Sequence, residues 1–320
     1  MIKKIGILTS GGDSPGMNNA IRSIVLSSIK LKIKIIGIFD GFLGLYKNRM
    51  IKLNFKSVFN LINIGGTFLR TSRFPKFVKK KIRLKSIKNL ISSKIDALII
   101  IGGNGSYMGA KCLHEMGFTC ICLPGTIDND INGTDYTIGY STALENIVKS
   151  IDSLRDNSSS HQRISIVEIM GRNCGDLTLN SAIAGGCDFI ILPEIPYNFL
   201  NLINNIKNKI NLGKKHLIIA ITENICNIKK LAKYIEITTK KETRTTILGY
   251  VQRGGIPIAY DRILASRMGF FAVELLLKGY SGKFIGIKND KLIFHDIDYA
   301  FKKKKKIFKK KWMENIQKIF

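Results

Sequence analysis

Two rhythms of hydrophobic and polar positions run along this chain. Short, nearly continuous apolar runs stand at Ile5 to Leu8, Ile33 to Ile38, Ala97 to Ile101 and Cys120 to Pro124. More stand at Ile164 to Met170, Phe189 to Leu192, Leu217 to Thr222 and Thr245 to Val251. Strands buried on both faces of a parallel sheet read this way. Between the runs, apolar residues recur every three or four positions. Met17, Ala20, Ile21, Ile24 and Val25 form one such stripe and put Arg22 on the other side. Met108, Cys112 and Met116 share a second helical face. Leu144, Ile147, Val148, Ile151 and Leu154 mark a third helix, predicted to stop at Arg155-Asp-Asn-Ser-Ser-Ser160. Alternating strand and helix predicts an α/β fold with mostly parallel sheets. No internal repeat, low-complexity linker or Pro-rich hinge separates the halves, so two domains would meet without a compositional boundary.

The loops at the ends of the predicted strands are more telling than the strands. Gly11-Gly12-Asp13 comes after the first, and Gly102-Gly103-Asn104-Gly105-Ser106 after another. Then come Gly125-Thr126-Ile127-Asp128-Asn129-Asp130, Met170-Gly171-Arg172, Glu223 and Gln252-Arg253-Gly254-Gly255. Open parallel sheets bind ligands beyond the carboxyl ends of their strands. Glycines there let backbone approach phosphate oxygens, helix N-termini offer N–H groups to anions, and arginine offers a forked donor. Asp128 is expected to sit in its loop with no core to support, able to take a proton or hold a metal. Each residue taken singly has a plainer reading. Asp-Asn-Asp is ordinary turn chemistry, Arg172 and Arg253 suit surface ion pairs, Glu223 suits a helix N-terminus, and Met170 suits a core. Their recurrence at successive strand ends favours a phosphate site. There is no Gly-x-x-x-x-Gly-Lys-Ser/Thr loop and no clean Gly-x-Gly-x-x-Gly near the first helix, so phosphate is bound without a loop lysine.

At 320 residues with 45% hydrophobic content, the chain is a globular protein large enough for one or two cores. It lacks any apolar stretch of membrane-spanning length, and its Lys-Lys N-terminus leads into a strand rather than a signal peptide. The six cysteines contain no Cys-x-x-Cys pair and the four histidines lie apart, which excludes zinc spacing and suggests buried thiols in a reducing cytoplasm. Lys and Arg number 51 against 23 Asp and Glu, a formal net charge of +28. That raises a nucleic-acid partner. Yet the excess is spread among isoleucines and asparagines, the residues that AT-rich coding favours. Lys302 to Lys306 with Lys309 to Lys311 reads as a solvated C-terminal face, and no specific nucleic acid is expected.

Taken together, Ile7-Leu-Thr-Ser-Gly-Gly-Asp13, Gly65-Gly-Thr-Phe-Leu69, Pro124-Gly-Thr-Ile-Asp-Asn-Asp130, Ser158-Ser-Ser-His-Gln-Arg163, Met170-Gly-Arg172 and Gln252-Arg-Gly-Gly255 resemble the bacterial ATP-dependent 6-phosphofructokinases. The resemblance runs from Met1 to the last residues. It implies two three-layer α/β domains with the active site in the cleft between them. Residues 1–138 with 251–301 would bind ATP, and 139–250 with 302–320 would bind fructose 6-phosphate. The implied reaction moves the γ-phosphoryl of MgATP to the 1-hydroxyl of fructose 6-phosphate, in a cytoplasmic homotetramer. Asp128 would be the base, Asp130 would act electrostatically, and Thr126 and Arg172 would steady the transferring group. Gly12, Arg73, Phe74, Gly103, Asn104, Gly105 and Ser106 would hold the nucleotide. Arg163 and Arg244, from a neighbouring subunit, would clamp the 6-phosphate with Tyr250 and Arg253, while Met170, Gly171 and Glu223 would line the sugar site. An effector site for ADP or phosphoenolpyruvate would retain Arg22, Arg155, Gly186, Lys214 and Lys215.

The departures from the family pattern are specific. Asn104 stands where the family has a magnesium-binding aspartate, which predicts weaker Mg²⁺ binding. Tyr250 replaces a usual histidine. Leu26 and Phe55 replace arginines of the effector site, Leu212 a lysine, and Asp188 a glutamate, with Lys56 able to substitute in part. Allosteric control is expected to be relaxed. Gly105 and Gly125 match the ATP-using branch, since pyrophosphate-using relatives carry larger side chains there. A related NAD or lipid kinase would lack the Ser-His-Gln-Arg and Gln-Arg-Gly-Gly blocks. A catalytically weak remnant and a basic nucleic-acid-binding protein on this scaffold compete with the kinase reading.

Overall fold

The computed structural model describes residues 2–302. The lysines at 303–306 and 309–311, and all but Lys302 of the expected domain segment 302–320, lie outside the described residues. The backbone divides into two compact units, one of residues 2–127, 131–142 and 253–302, the other of 128–130 and 143–252. In chain order the strands are β1 (Lys4–Ser10), β2 (Lys34–Ile38), β3 (Met50–Leu53), β4 (Ala97–Gly102), β5 (Cys120–Pro124), β6 (Ile164–Ile169), β7 (Phe189–Ile191), β8 (Leu217–Thr222), β9 (Thr243–Ile247), β10 (Lys283–Lys288) and β11 (Lys291–Asp296).

The first unit is a sheet in the order β11-β10-β5-β4-β1-β2-β3, parallel except for the antiparallel edge pairs β2/β3 and β10/β11. Both faces are covered. Ile5, Ile7, Ile99 and Ile101 pack with Met17, Ile21 and Ile24 of helix Met17–Lys30 and with Leu264 and Met268 of helix Ala259–Leu277. Leu8, Leu98 and Ile100 pack on the other side with Tyr107, Ala110 and Leu113 of helix Asn104–Glu115. Burying such all-aliphatic faces contributes about 25 cal/mol per Å². The second unit is a parallel sheet in the order β7-β8-β6-β9. Helices Phe199–Asn211 and Ile228–Thr239 close one face through Ile203, Ile206, Leu231 and Ile235. Each unit is thus an α/β layered body built on a mostly parallel sheet.

Four expectations change. The run Thr245 to Val251 is not one strand: pairing occupies Thr243–Ile247, and a short 3₁₀ turn, Gly249–Arg253, begins at Gly249 with φ 55. Helix Tyr140–His161 continues through the polar stretch expected to end it. There the hydroxyls of Ser158 and Ser160 bond the carbonyls of Leu154 and Asp156, at 2.6 and 2.9 Å, so they are satisfied without breaking the helix. Helix Asn104–Glu115 turns Tyr107, Ala110 and Leu113 inward, while Met108 of the expected face is exposed. Asp128, expected to support no core, is buried at 6% exposure.

Asp261 fixes the start of the long helix. Its carboxylate accepts from the Gly139 and Thr142 N–H groups and the Thr142 hydroxyl, at 2.9, 2.7 and 2.6 Å. Burial still pushes its carboxyl above the ordinary aspartate range, the hydrogen bonds only partly offsetting this. The folded state therefore binds the proton more readily than the unfolded chain, and this group's contribution to stability falls as pH rises from the unfolded value through the raised one. Asp261→Ala strands three donors and should cost about 2–4 kcal/mol at neutral pH. Urea midpoints measure it. The gap between wild type and variant should widen on acidification through that window.

Candidate active site

In the first unit, sheet register aligns the glycine loops. Ser10 at the end of β1 faces Gly102 at the end of β4, and Gly102 faces Pro124 at the end of β5. Three adjacent strands therefore release Gly11-Gly12-Asp13, Gly103-Asn104-Gly105 and Gly125-Thr126 at one level of the sheet edge. The loops are tied by polar contacts: Ser106 donates its hydroxyl to the Ser10 carbonyl at 2.9 Å, Thr71 to Gly11 at 2.8 Å, and Thr137 to Thr126 at 2.6 Å. Gly103 caps helix Asn104–Glu115, so the first-turn amides of that helix begin at Asn104. Apart from its chain neighbours and its own helix backbone, no described atom lies within 4 Å of where a Cβ on Gly105 would stand. Nothing in the fold demands glycine there, and the space suits close approach of a ligand. Gly125 differs: a Cβ would come within 2.9 Å of Ile101 and Met17. Core packing by itself explains that glycine, so it carries no information on the phosphate donor. Arg73 is exposed, and Phe74 packs its ring near Tyr46 and Phe77.

Arg253 also belongs to this unit. Its guanidinium carbon stands 3.4 Å from a Cβ built on Gly12, and Nη1 lies 3.9 Å from the Asp13 carboxylate. With 13% of its side chain exposed it is no surface ion-pair residue. It places a cation at the first glycine loop.

In the second unit, β6 and β8 end side by side, with Ile169 opposite Thr222. Met170-Gly171-Arg172 and Glu223 emerge there together. One Glu223 oxygen accepts from the N–H groups of Gly171 at 3.2 Å and Arg172 at 3.0 Å, so this acid clamps a turn instead of capping a helix. Gly171 has φ 147, and a Cβ would stand 2.3 Å from the Cys174 carbonyl oxygen. Only glycine fits. Arg172 adopts the left-handed region at φ 55, and its Nε reaches to 3.7 Å from the Asp128 carboxylate. Such backbone strain in a non-glycine residue often marks a functional turn. Glu168, on β6, has its carboxyl raised above the usual range by burial and by the nearby Glu223 charge.

Several residues of this site were silent in the sequence pattern. Gln252, fully buried, accepts the Met170 N–H at 3.0 Å and donates to the Gly249 carbonyl at 3.0 Å, joining the turn with exposed Tyr250 to the end of β6. Its only signal was membership of the Gln-Arg-Gly-Gly block. Asp176 accepts the Asn129 side-chain amide at 2.7 Å. Glu242 holds two cations, with Arg163 at 3.7 Å and Arg244 at 2.6 Å, and its carboxyl falls below the ordinary range through the Arg244 hydrogen bond first.

Arg163 and Arg244 are not brought to the Arg172 turn. Arg163 precedes β6 and Arg172 lies beyond its far end, and Arg244 pairs with Ser165 near the start of that strand. A strand of this length separates the two ends by roughly 20 Å at about 3.3 Å per residue. Elsewhere in the second unit, the buried Asp188 carboxylate binds Lys214, lies 3.7 Å from Lys209 and accepts the Ile218 N–H at 2.8 Å. Arg155 donates to the carbonyls of Gly185 and Gly186. Arg22 is part of the first unit, and Lys215 is exposed on the second.

Glycine loops in register at one sheet edge and a carboxylate beside an arginine on a constrained turn fit phosphoryl-group chemistry. A model of the Phosphofructokinase family matches residues 4–276. The chain belongs to the phosphofructokinase family. It is 61% identical over all 320 residues, and over the whole of each relative, to proteins named ATP-dependent 6-phosphofructokinase from Erwinia tasmaniensis and Serratia proteamaculans. Among solved structures it is similar to phosphofructokinase from Saccharomyces cerevisiae, with TM-score 0.86 and 34% identity over 93% of this chain and 45% of that one. It thus spans less than half of the yeast chain. A pyrophosphate-dependent phosphofructokinase from Marinobacter aquaeolei, 21% identical, shares the fold at TM-score 0.85 over 94% of this chain and 84% of its own.

The oxygen donors present suit a magnesium ion brought in on phosphates. Among the described residues no three His, Cys, Asp or Glu side chains gather as a metal cage. Magnesium usually takes one or two carboxylates plus phosphate oxygens and water. In the first unit the strand-end loops offer Asn104 as a neutral oxygen and Asp13 as a carboxylate; in the second unit, Asp128 and Asp130 carry carboxylates.

Proposed function

We propose that this chain transfers the γ-phosphoryl group of ATP to the 1-hydroxyl of fructose 6-phosphate, giving fructose 1,6-bisphosphate and ADP, the committed step of glycolysis. The carrying observation is Asp128: a buried carboxylate at the end of a glycine loop, 3.7 Å from the Arg172 guanidinium. A carboxylate there can accept the hydroxyl proton, while the arginine faces the charge of the transferring group. Such transfer needs positioning and charge neutralisation more than covalent chemistry. Gly12, Gly103, Asn104, Gly105 and Ser106 would cradle the nucleotide by backbone N–H groups, with Arg73 and Phe74 beside it. The space at Gly105 favours ATP over pyrophosphate on this reading. Magnesium would neutralise the phosphates, held by them and, in the first unit, by Asn104. Thr126 and Asp130 would complete the transfer site, and Met170, Gly171 and Glu223 the sugar site.

The 6-phosphate would be clamped by Arg163 and Arg244 of a neighbouring subunit, with Tyr250 and Arg253. The distance along β6 between Arg163 and Arg172 supports a contribution from another chain, and the family resemblance implies a homotetramer. We place the enzyme in the cytoplasm. No described helix is long and apolar enough to cross a membrane. No observation favours the weak-remnant or the nucleic-acid reading. A coupled assay of fructose 1,6-bisphosphate formation, with fructose 6-phosphate, Mg²⁺ and either ATP or pyrophosphate as donor, tests the proposal. Turnover with ATP but not with pyrophosphate is the expected result. Turnover with pyrophosphate alone would overturn the donor assignment, and none with either the reaction.

Effector control should be weak. Three cations of the family's effector site are Leu26, Phe55 and Leu212 here, and the Asp188 carboxylate is already engaged by Lys214, Lys209 and the Ile218 N–H. Charge-assisted bonds lost from a phosphate-bearing effector exceed an ordinary allosteric coupling. Millimolar ADP or phosphoenolpyruvate should move the half-saturating fructose 6-phosphate concentration by less than about 3-fold, where couplings commonly give about 5–150-fold. A larger shift would show a working effector site.

A further inference from the structure

We infer that Asp176 is a positioning residue for the phosphoryl-transfer loop, its buried carboxylate holding Asn129 and so fixing the direction in which Asp128 leaves the backbone. The inference rests on the reading of Asp128 as the base and deepens it.

Asn129 lies between the two acids of the loop and adopts the left-handed conformation, φ 48. Asparagine tolerates that region better than most residues, yet it does not select one loop shape unaided. The side chain is 3% exposed, and its Nδ2 donates to Asp176 Oδ2 at 2.7 Å. A neutral amide donating to a carboxylate away from water makes a short, strong and directional bond. The acceptor is itself held. Asp176 is the first residue of helix Asp176–Ala184, where the helix dipole favours its charge. The preceding Gly175 donates its N–H to Glu194 at 2.9 Å, and Asn180 donates to the Asp176 carbonyl at 2.9 Å. The Cys174 thiol points to the Asn129 carbonyl at 4.0 Å, a weak second tie to the same residue.

One turn, from Gly171 to Asp176, therefore does two things. It grips the middle residue of Asp128-Asn129-Asp130, and it carries Arg172, whose Nε stands 3.7 Å from Asp128. With Asn129 released, its backbone could leave the left-handed region and swing Asp128 away from Arg172. Misplacing a reacting group by about 1 Å can lower a rate about 100-fold. A bond that served stability alone would leave turnover per folded molecule unchanged.

The test exchanges donor and acceptor in the full-length protein. Asn129→Asp sets two carboxylates against each other, and Asp176→Ala removes the acceptor. Each should lower kcat by about 10–100-fold, with KM for ATP and fructose 6-phosphate changed less than about 3-fold. Asp176→Asn keeps a carbonyl acceptor and should stay within about 3-fold of wild type. Adding Asp176→Asn to Asn129→Asp rebuilds the bond with its direction reversed and should recover kcat to within about 3-fold of wild type. Unchanged kcat in folded Asp176→Ala, or no recovery in the double variant, overturns the proposal. The swap keeps it falsifiable should Asp176→Ala fail to fold. Failure of the base reading has its own signature, near-full turnover in Asp128→Ala, and would take this proposal with it.

Discussion

Asp128→Ala should lower kcat by about 10²–10⁴-fold, the usual loss on removing a positioned general base. The fold should survive. Asp128 sits on a loop at the end of β5, and its removal leaves Arg172, 55% exposed, with ready access to water. KM for ATP should change little, because the proposed nucleotide cradle lies on other loops. Steady-state kinetics with a thermal melt of the same preparation makes the measurement. Near-full turnover would remove Asp128 from the mechanism. Turnover lost together with the cooperative melt would instead mark Asp128 as structural.

Asn104→Asp should lower the Mg²⁺ concentration for half-maximal activity by about 10–100-fold, the scale on which changes around a metal act. The reasoning is electrostatic. Magnesium is a hard cation that prefers charged oxygen, and a carboxamide supplies geometry without charge. Position 104 opens the helix after β4, with the Gly103 and Gly105 backbone on either side, and a carboxylate at a helix N-terminus is favoured by the helix dipole. The gain should be greatest at low metal and vanish at saturation. Calorimetric titration of Mg·ADP into both proteins should give the same order of affinity without turnover. Identical metal titrations would show that residue 104 does not act on the ion.

The extent to which the site was legible depended on how each residue signals itself. The glycine loops announced themselves because a strand's apolar run stops abruptly where glycines and polar groups begin, and strand ends are where such sheets bind. Asn104 was legible as a departure because its neighbours Gly103 and Gly105 fix the register of the comparison. Asp128 was identified as chemistry but its burial was misjudged, since loop position does not reveal which later segments cover it. Serines 158 and 160 looked like a helix stop because serine competes with backbone for hydrogen bonds, yet the i−4 carbonyls satisfied them. Strands β3, β10 and β11 went unread. All three mix lysine with isoleucine, and the edge strands β3 and β11, each paired antiparallel, lack the all-apolar signature of central parallel strands.

The amino-acid sequence by itself determined the alternation of strand and helix, the central buried strands and the glycine loops that end them. Local composition suffices for these, because a strand covered on both faces must be apolar along its whole length and a phosphate-binding turn must be small. Tertiary structure decided the partners. Asn129 meets Asp176 across 47 positions, Glu223 reaches the Gly171-Arg172 turn across 52 and 51, and Gln252 reaches Met170 across 82. A hydrogen bond needs only that two groups arrive within about 3 Å at the right angle. Nothing in either group's neighbours along the chain records which sheet register will bring them there.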